Sequence, residues 1–250
     1  MTKKIIHAVV KISVAVILTA VLFIVGAKAP ELHTQFLRDK VGSVVIKIVT
    51  NNTAVAGGTG FHVVAPSGKV YILTNAHVCK LETEEGTMAL VAVPNSNRFV
   101  SRRIIEVSSN HDLCLVEALN DMPGVKLADE VQIGDAVRAV GHPLLRPLRV
   151  SLGKILDNTS IDLPVDVGIS KEECTKLNGN LIFNAYFNVA ICFKPFTAVE
   201  TDVIIFPGSS GSPVVNFWGH LVGVIFASDT RTHYGFMVPL KEVKEFLKIH

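Results

Sequence analysis

From Val41 onward the chain consists of short β-branched runs separated by Gly, Pro, Asn and Asp, the pattern of strands joined by turns. Six strands are predicted in the first half, over 44–50, 60–65, 70–74, 88–93, 104–107 and 113–118. Seven more follow, over 136–140, 149–156, 181–187, 189–193, 213–216, 220–227 and 235–239. Strands that succeed one another without helices between them imply antiparallel sandwiches or barrels, an all-β class. Leu240, Val243, Phe246 and Leu247 recur at helical spacing and predict a terminal amphipathic helix over 240–249. The stretch from Asn120 through Pro123-Gly124 to Gly134 reads as the crossing between two halves, 41–133 and 134–250. Residues 157–174 are polar and weakly patterned, which predicts a loop or insertion.

The N-terminus follows a different pattern. Sixteen residues, 12–27, carry no charge, and admitting His7 and Lys11 extends the apolar stretch to the twenty-three residues 5–27. At about 1.5 Å per residue the longer stretch covers roughly 34 Å, enough for a hydrocarbon layer of about 30 Å. Lys11 lies near the inner end, where its stem can return the ammonium to the headgroups. Two readings of residues 1–30 compete: an uncleaved transmembrane anchor, and a secretory signal cut after Ala27-Lys28-Ala29. The anchor is favoured, because Pro30 would be the first residue of the cut product and lacks the N–H of an extended strand. In both cases Lys3, Lys4 and Lys11 hold the terminus inside and the rest is exported. The expectation is a single-pass membrane protein held by residues 5–27, or a secreted one if the segment is removed.

Composition narrows the classes. Of the 250 residues, 49% are hydrophobic and 18% charged, and the mean hydropathy is +0.42. Disorder and coiled coil are excluded as global descriptions. Twenty-four basic residues face twenty-two acidic ones, a balance that gives nucleic-acid binding no electrostatic support. The four cysteines, Cys79, Cys114, Cys174 and Cys192, allow three pairings, and export permits disulfides without requiring them. Asn178-Gly179 reads as a two-residue hairpin turn; in that register Cys174 faces Phe183 rather than Cys192. Neither a C-x-x-C spacing nor a Cys/His cluster suggests a metal, so no metal or organic cofactor is expected.

Three local contexts carry candidate chemistry. Leu73-Thr74-Asn75-Ala76-His77-Val78 puts a histidine just after an apolar strand, and Asn110-His111-Asp112-Leu113-Cys114-Leu115 puts an acid at the mouth of another. Pro207-Gly208-Ser209-Ser210-Gly211-Ser212-Pro213 is a tight loop of small residues directly before a strand. A nucleophilic serine needs such a loop, because backbone amides must converge on the oxyanion and only small residues admit a substrate that closely.

These contexts resemble the trypsin-like serine peptidases, and within them the HtrA/Deg branch. The family's T-N-x-H-V, acid and P-G-N-S-G-G-P signatures stand here in the family's order as T-N-A-H-V, D-L-C and P-G-S-S-G-S-P. Between and beyond them, Gly57-Gly58-Thr59-Gly60-Phe61, Val140-Gly141-His142-Pro143, Val150-Ser151-Leu152-Gly153-Lys154-Ile155, Glu200-Thr201-Asp202 and Tyr234-Gly235-Phe236-Met237-Val238-Pro239 are also similar to the family's strands and turns. The likeness covers about residues 41–249.

The resemblance implies two antiparallel six-stranded β-barrels followed by the terminal helix and preceded by the transmembrane segment. It implies a serine endopeptidase with His77, Asp112 and Ser210 as triad and the N–H groups of Gly208 and Ser210 as oxyanion hole, acting on exposed or unfolded polypeptides. A primary pocket walled by Ile204, Ile205, Ile225, Phe226 and Ala227 implies cleavage after small or medium apolar residues, since Asp202 is not expected to turn inward. Ser209 replaces the aspartate of zymogen-type relatives, so no activation by a new N-terminus is expected. Ser212 replaces a glycine and requires a negative φ. His142 stands where relatives carry a turn asparagine and reads as structural. The chain leaves no room after the helix for the PDZ domain many relatives append, and the family's frequent trimers make a homo-oligomer conceivable only by resemblance. The rival from another class is a protease-like module, tethered to the membrane, that binds peptides without cutting them.

Overall fold

The computed structural model describes residues 28–50, 53–79, 88–94, 96–108, 110–120, 122–167, 170–176, 178–184 and 189–248. The chain divides into two units, residues 1–39 and 40–250. In the first, the described residues belong to a helix, α1 (28–41), in which the Gln35 amide donates to Asp39 one turn on at 2.9 Å. Among the described residues no helix is long and apolar enough to cross a membrane, and the apolar stretch 5–27 lies outside them.

The second unit contains two antiparallel sheets. The first comprises β1 (Ser43–Thr50), β2 (Thr53–Val64), β3 (Val70–Thr74), β4 (Met88–Ala92), β5 (Phe99–Arg102), β6 (Ile104–Ser108) and β7 (Leu113–Glu117), in the order β5-β4-β1-β2-β3-β7-β6. The second comprises β8 (Ala136–Gly141), β9 (Arg149–Val167), β10 (Asn180–Asn184), β11 (Val189–Ile204), β12 (Pro213–Val215), β13 (Leu221–Ser228) and β14 (Tyr234–Pro239), in the order β10-β11-β14-β13-β12-β8-β9. Alternation sets the faces: Val44, Ile46 and Ile48 of β1 are buried and join Ile72, Val91 and Val116 in one core. Val137, Val203, Val214, Ile225 and Met237 build the other.

Of the expected pair of six-stranded barrels, the second half forms one and the first is corrected. Each sheet has seven strands. The second closes because β11 also pairs with β9, making a ring of six strands with β10 added outside it. In the first, no pairing joins the edge strands β5 and β6 among the described residues, so it stays an open, curved sheet. The terminal helix α4 (Leu240–Leu247) buries Leu240, Val243, Phe246 and Leu247, the four positions the periodicity selected, and packs on β13 and β14.

A second correction concerns residues 157–174. They are strand as far as Val167, paired residue by residue with β11 from Thr201↔Ile155 to Ile191↔Val167. Backbone pairing with a long partner holds this arm, so it needs no hydrophobic alternation of its own. Pro164, which has no N–H to give, falls beside the bulge at Cys192/Phe193. Asn178-Gly179 is no hairpin either. It ends α3 (Lys171–Lys176): Asn178 has φ +57°, its N–H donates to Thr175 O, and Gly179 N–H donates to Cys174 O. That ending turns Cys174 onto Cys192, and the two form a disulfide, contrary to the register that set Cys174 against Phe183. A Cβ on Gly179 would lie 2.5 Å from Cys192 Sγ, so only glycine fits against the bridge.

His62, wholly buried in β2, shows how the interior handles an imidazole. Its Nε2 accepts the Leu119 N–H at 3.2 Å, so Nδ1 carries the proton toward Gly42 O at 3.2 Å. Burial holds its pKa below the ordinary histidine value, and it stands neutral.

Candidate active site

The short helix α2 (Ala76–Cys79) follows β3 and carries His77; Asp112 precedes β7, which pairs with β3. A disulfide between Cys79 and Cys114 ties the two elements together, two residues after His77 and two after Asp112. Asp112 holds His77 twice: Oδ1 accepts the His77 backbone N–H at 2.9 Å, and Oδ2 lies 2.9 Å from His77 Nδ1. The Asp112 side chain is 10% exposed and that of His77 47%, so the ring reaches solvent while its anchor does not. Asp112 adopts φ +48°, a left-handed conformation that aspartate tolerates, and the buried Asn75 amide donates to its carbonyl at 3.0 Å.

Ser210 comes from the other half, on the loop between β11 and β12. Its carbonyl accepts the Thr59 N–H of β2 at 2.8 Å. An ideal Cβ on Gly58 would stand 2.8 Å from Ser210 O and 2.9 Å from a Val78 methyl, so the bare backbone at Gly58 lets the serine loop and the His77 helix meet over one strand. No hydrogen bond joins Ser210 Oγ to the His77 ring among the described residues.

The loop's amides are unequally used. The N–H groups of Ser209, Gly211 and Ser212 donate to Phe206 O, Ile225 O and Ser209 O. Those of Gly208 and Ser210 donate to no acceptor among the described residues. Gly208 has φ +86°; the Pro207 carbonyl is drawn away by the Leu144 N–H at 2.6 Å, and Thr59 Oγ1 donates to Gly208 O at 2.9 Å. The loop is pinned through the Pro207, Gly208 and Ser210 carbonyls, with two of its amides unengaged among the described residues.

Gly211 is the tightest point. With φ +84°, a Cβ there would fall 2.0 Å from Thr59 O and 2.3 Å from Thr74 Oγ1. Gly211→Ala is expected to destabilise by at least about 2 kcal/mol. That lowers Tm on the order of 4–8 °C for a domain of this size, read in a thermal melt. A variant that melts with the parent would show that the loop is not clamped on β2.

Of the expected pocket residues, the structure separates the exposed from the packed. Ile205 and Ile225 are buried in the core, Ile205 also lining the cavity beside Ser209, and Phe226 packs tilted on Phe196 with centroids 5.0 Å apart. Ile204 and Phe206 are exposed and Ala227 is half-buried. Asp202 does not turn into the site: its Oδ1 accepts the Lys154 N–H of β9 at 2.6 Å. A cavity of about 80 Å³ lies behind the loop, bordered by Gly141, Ile204, Phe206, Ser209 and Ser212 rather than by His77. Ser212 fits because Gly141 makes room: a Cβ on Gly141 would lie 1.9 Å from Ser212 Oγ. His142 sets Nδ1 2.9 Å from Arg146 O, a structural placement. Thr59, wholly buried, was not singled out in the sequence although it bonds both ends of the loop; its neighbours Gly58 and Gly60 were the legible signal. Among the described residues no group of three His, Cys, Asp or Glu could hold a metal.

Comparison with known proteins places this architecture. The serine protease Do-like HtrA of Bacillus subtilis (strain 168) is 25% identical over 206 residues, 78% of this chain and 39% of its own. A probable periplasmic serine endoprotease, DegP-like, of Pseudomonas fulva (strain 12-X) is 30% identical over 184 residues, 72% of this chain and 30% of its own. The chain spans about a third of the length of these relatives. Among solved structures, the Rv3671c protease of M. tuberculosis in its active form superposes with TM-score 0.61 at 19% identity, covering 84% of this chain and 81% of that one. The serine endoprotease from Yersinia pestis gives 0.57 at 22%, covering 85% and 64%. At these identities the structural likeness is one of fold. The model of the trypsin-like peptidase domain matches residues 58–224, from the glycine that seats the serine loop to the strand bonded to its far end, and the chain belongs to that family.

Proposed function

We propose that this chain is a serine endopeptidase in which Ser210 is the nucleophile, His77 the general base and Asp112 the group that orients it. Ser210 Oγ attacks the scissile carbonyl carbon, and His77 Nε2 takes its proton. The tetrahedral oxyanion settles on the N–H groups of Gly208 and Ser210; His77 then protonates the leaving amine, and water releases the acyl group by the same steps in reverse order. The observation that supports this reading is the pair of donors at Gly208 and Ser210 that find no acceptor among the described residues, while Ser209, Gly211 and Ser212 between Pro207 and Pro213 are all engaged. Ile204 and Phe206, exposed beside the loop, and half-buried Ala227 offer apolar surface to a substrate side chain, and cleavage after small or medium apolar residues of unfolded polypeptides follows. Residues 5–27 anchor the chain in a membrane with the peptidase exported.

One observation favours the rival, a cleft that captures peptides without cutting: Ser210 Oγ and the His77 ring are not hydrogen-bonded. Labelling decides between them. A fluorophosphonate is expected to modify Ser210 alone, located by mass spectrometry after digestion, and labelling at another serine, or none, would remove the assignment. N-terminal sequencing of the exported chain separates the anchored from the cleaved form.

A further inference from the structure

The turn between β12 and β13 carries Phe217 and Trp218, 50% and 65% exposed, with their rings edge to face at 5.2 Å. Two large aromatics at a hairpin tip are costly in water and do nothing for the peptidase site. The Phe217 ring lies over the Arg138 guanidinium at 5.3 Å. Arg138 pairs in register with Leu152, 66% exposed on the same face of β8 and β9, and Lys154 stands two residues further along that face. Lys40, where the second unit begins, donates to the carbonyl of Trp218. Aromatic rings, one exposed leucine and three cations thus share one surface.

Arg138 indicates the sign of the missing partner. Its Nε and Nη1 are buried with no acceptor among the described residues, although a guanidinium remains charged at any working pH. The charge of a guanidinium held just under the surface favours an anion on the face above it. Among the described residues no carboxylate pairs with Arg138; Asp202 and Asp135 accept the Lys154 and Gln132 backbone N–H groups.

The position of this surface along the chain names the occupant. Only the twelve residues 28–39, helical in α1, separate Lys40 from the uncharged stretch 12–27, a rise of about 18 Å. Resting on the reading of residues 5–27 as a membrane anchor, the geometry points to Phe217 and Trp218 as a bilayer-docking tip. The rings enter the headgroup layer, and Arg138, Lys40 and Lys154 face anionic lipid phosphates. Docking would give the exported domain a second hold on the membrane beside the anchor.

Trp218 is the only tryptophan in the chain, so it reports on itself. The full-length chain is reconstituted in nanodiscs of phosphatidylglycerol and phosphatidylcholine, with and without bromine on the acyl chains. The expected result is a shift of Trp218 emission to shorter wavelength and its loss by quenching in brominated discs. Both are reduced in pure phosphatidylcholine and in Arg138→Gln. If the chain stays with the disc but emission is that of a solvated indole and is not quenched, the docking tip is refuted while the anchor stands. If the chain elutes apart from the discs, the anchor reading fails and the tip with it. A shifted emission that resists bromine and grows with protein concentration in detergent would assign the surface to a second copy of this chain and overturn the lipid assignment.

Discussion

Ser210→Ala is expected to lower kcat/KM by at least about 10^4-fold on casein or a fluorogenic peptide, with an unchanged melting curve. The two halves of that result have separate causes. The hydroxyl supplies both the proton that His77 takes and the oxygen of the acyl intermediate, so nothing else in the loop substitutes for it. The fold loses little, because Ser210 is held through its carbonyl on Thr59 N–H and through its neighbours' amides, not through Oγ. A residual rate above water would remain from the donors at Gly208 and Ser210. Cleavage as fast as the parent's would refute Ser210 as nucleophile and leave the cleft a binding site.

The strands that build the two cores were legible wherever burial imposes a period. β3 matches its predicted bounds, and α4 buries the four residues its spacing selected, because one-sided burial writes an alternation of two or of three to four into the residues. β5, Phe99–Arg102, was missed: it is an edge strand with no buried residue, held by backbone pairing with β4. The same reason hid the far half of β9, whose residues Asp157 to Asp162 are exposed or half-buried and whose order comes from β11. Backbone hydrogen bonds select no side chains, so such segments leave little trace in a single sequence. Asn178-Gly179 misled for a related reason. A left-handed residue followed by glycine suits a hairpin and a helix ending equally, and only the Cys174–Cys192 bridge separates them.

At the candidate site, the loops were readable and the walls were not. Glycine and serine at 208–212 announce close backbone approach, and Gly208 and Gly211 do adopt positive φ there. Whether an apolar residue next to that loop faces the cleft or the core depends on the strand's roll, which hydrophobicity does not record. Ile204 and Ile205 are chemically alike, yet the first is 42% exposed and the second 5%. Thr59 was invisible for another reason: its importance lies in the hydrogen bonds of one buried hydroxyl between two distant segments, His142 N–H and Gly208 O.

Asp112→Asn is expected to cost about 10^4-fold in kcat while leaving the fold in place. The substitution is nearly isosteric, and asparagine accepts the left-handed φ of +48° as readily as aspartate. The Asn75 bond to the residue-112 carbonyl does not involve the side chain. The amide, however, can satisfy only one of its two neighbours as the carboxylate did. The His77 backbone N–H can only donate, so it claims the amide oxygen at the Oδ1 position. The amide NH2 then faces His77 Nδ1, which must turn from donor to acceptor, and the ring proton moves to Nε2. An imidazole protonated at Nε2 cannot take the proton of Ser210. Nitrogen-15 NMR of the ring should therefore show the tautomer exchanged in the variant, alongside a KM that changes far less than kcat. If the variant kept both the parent tautomer and the parent rate, Asp112 would be a structural cap on α2 and not the partner that sets the base.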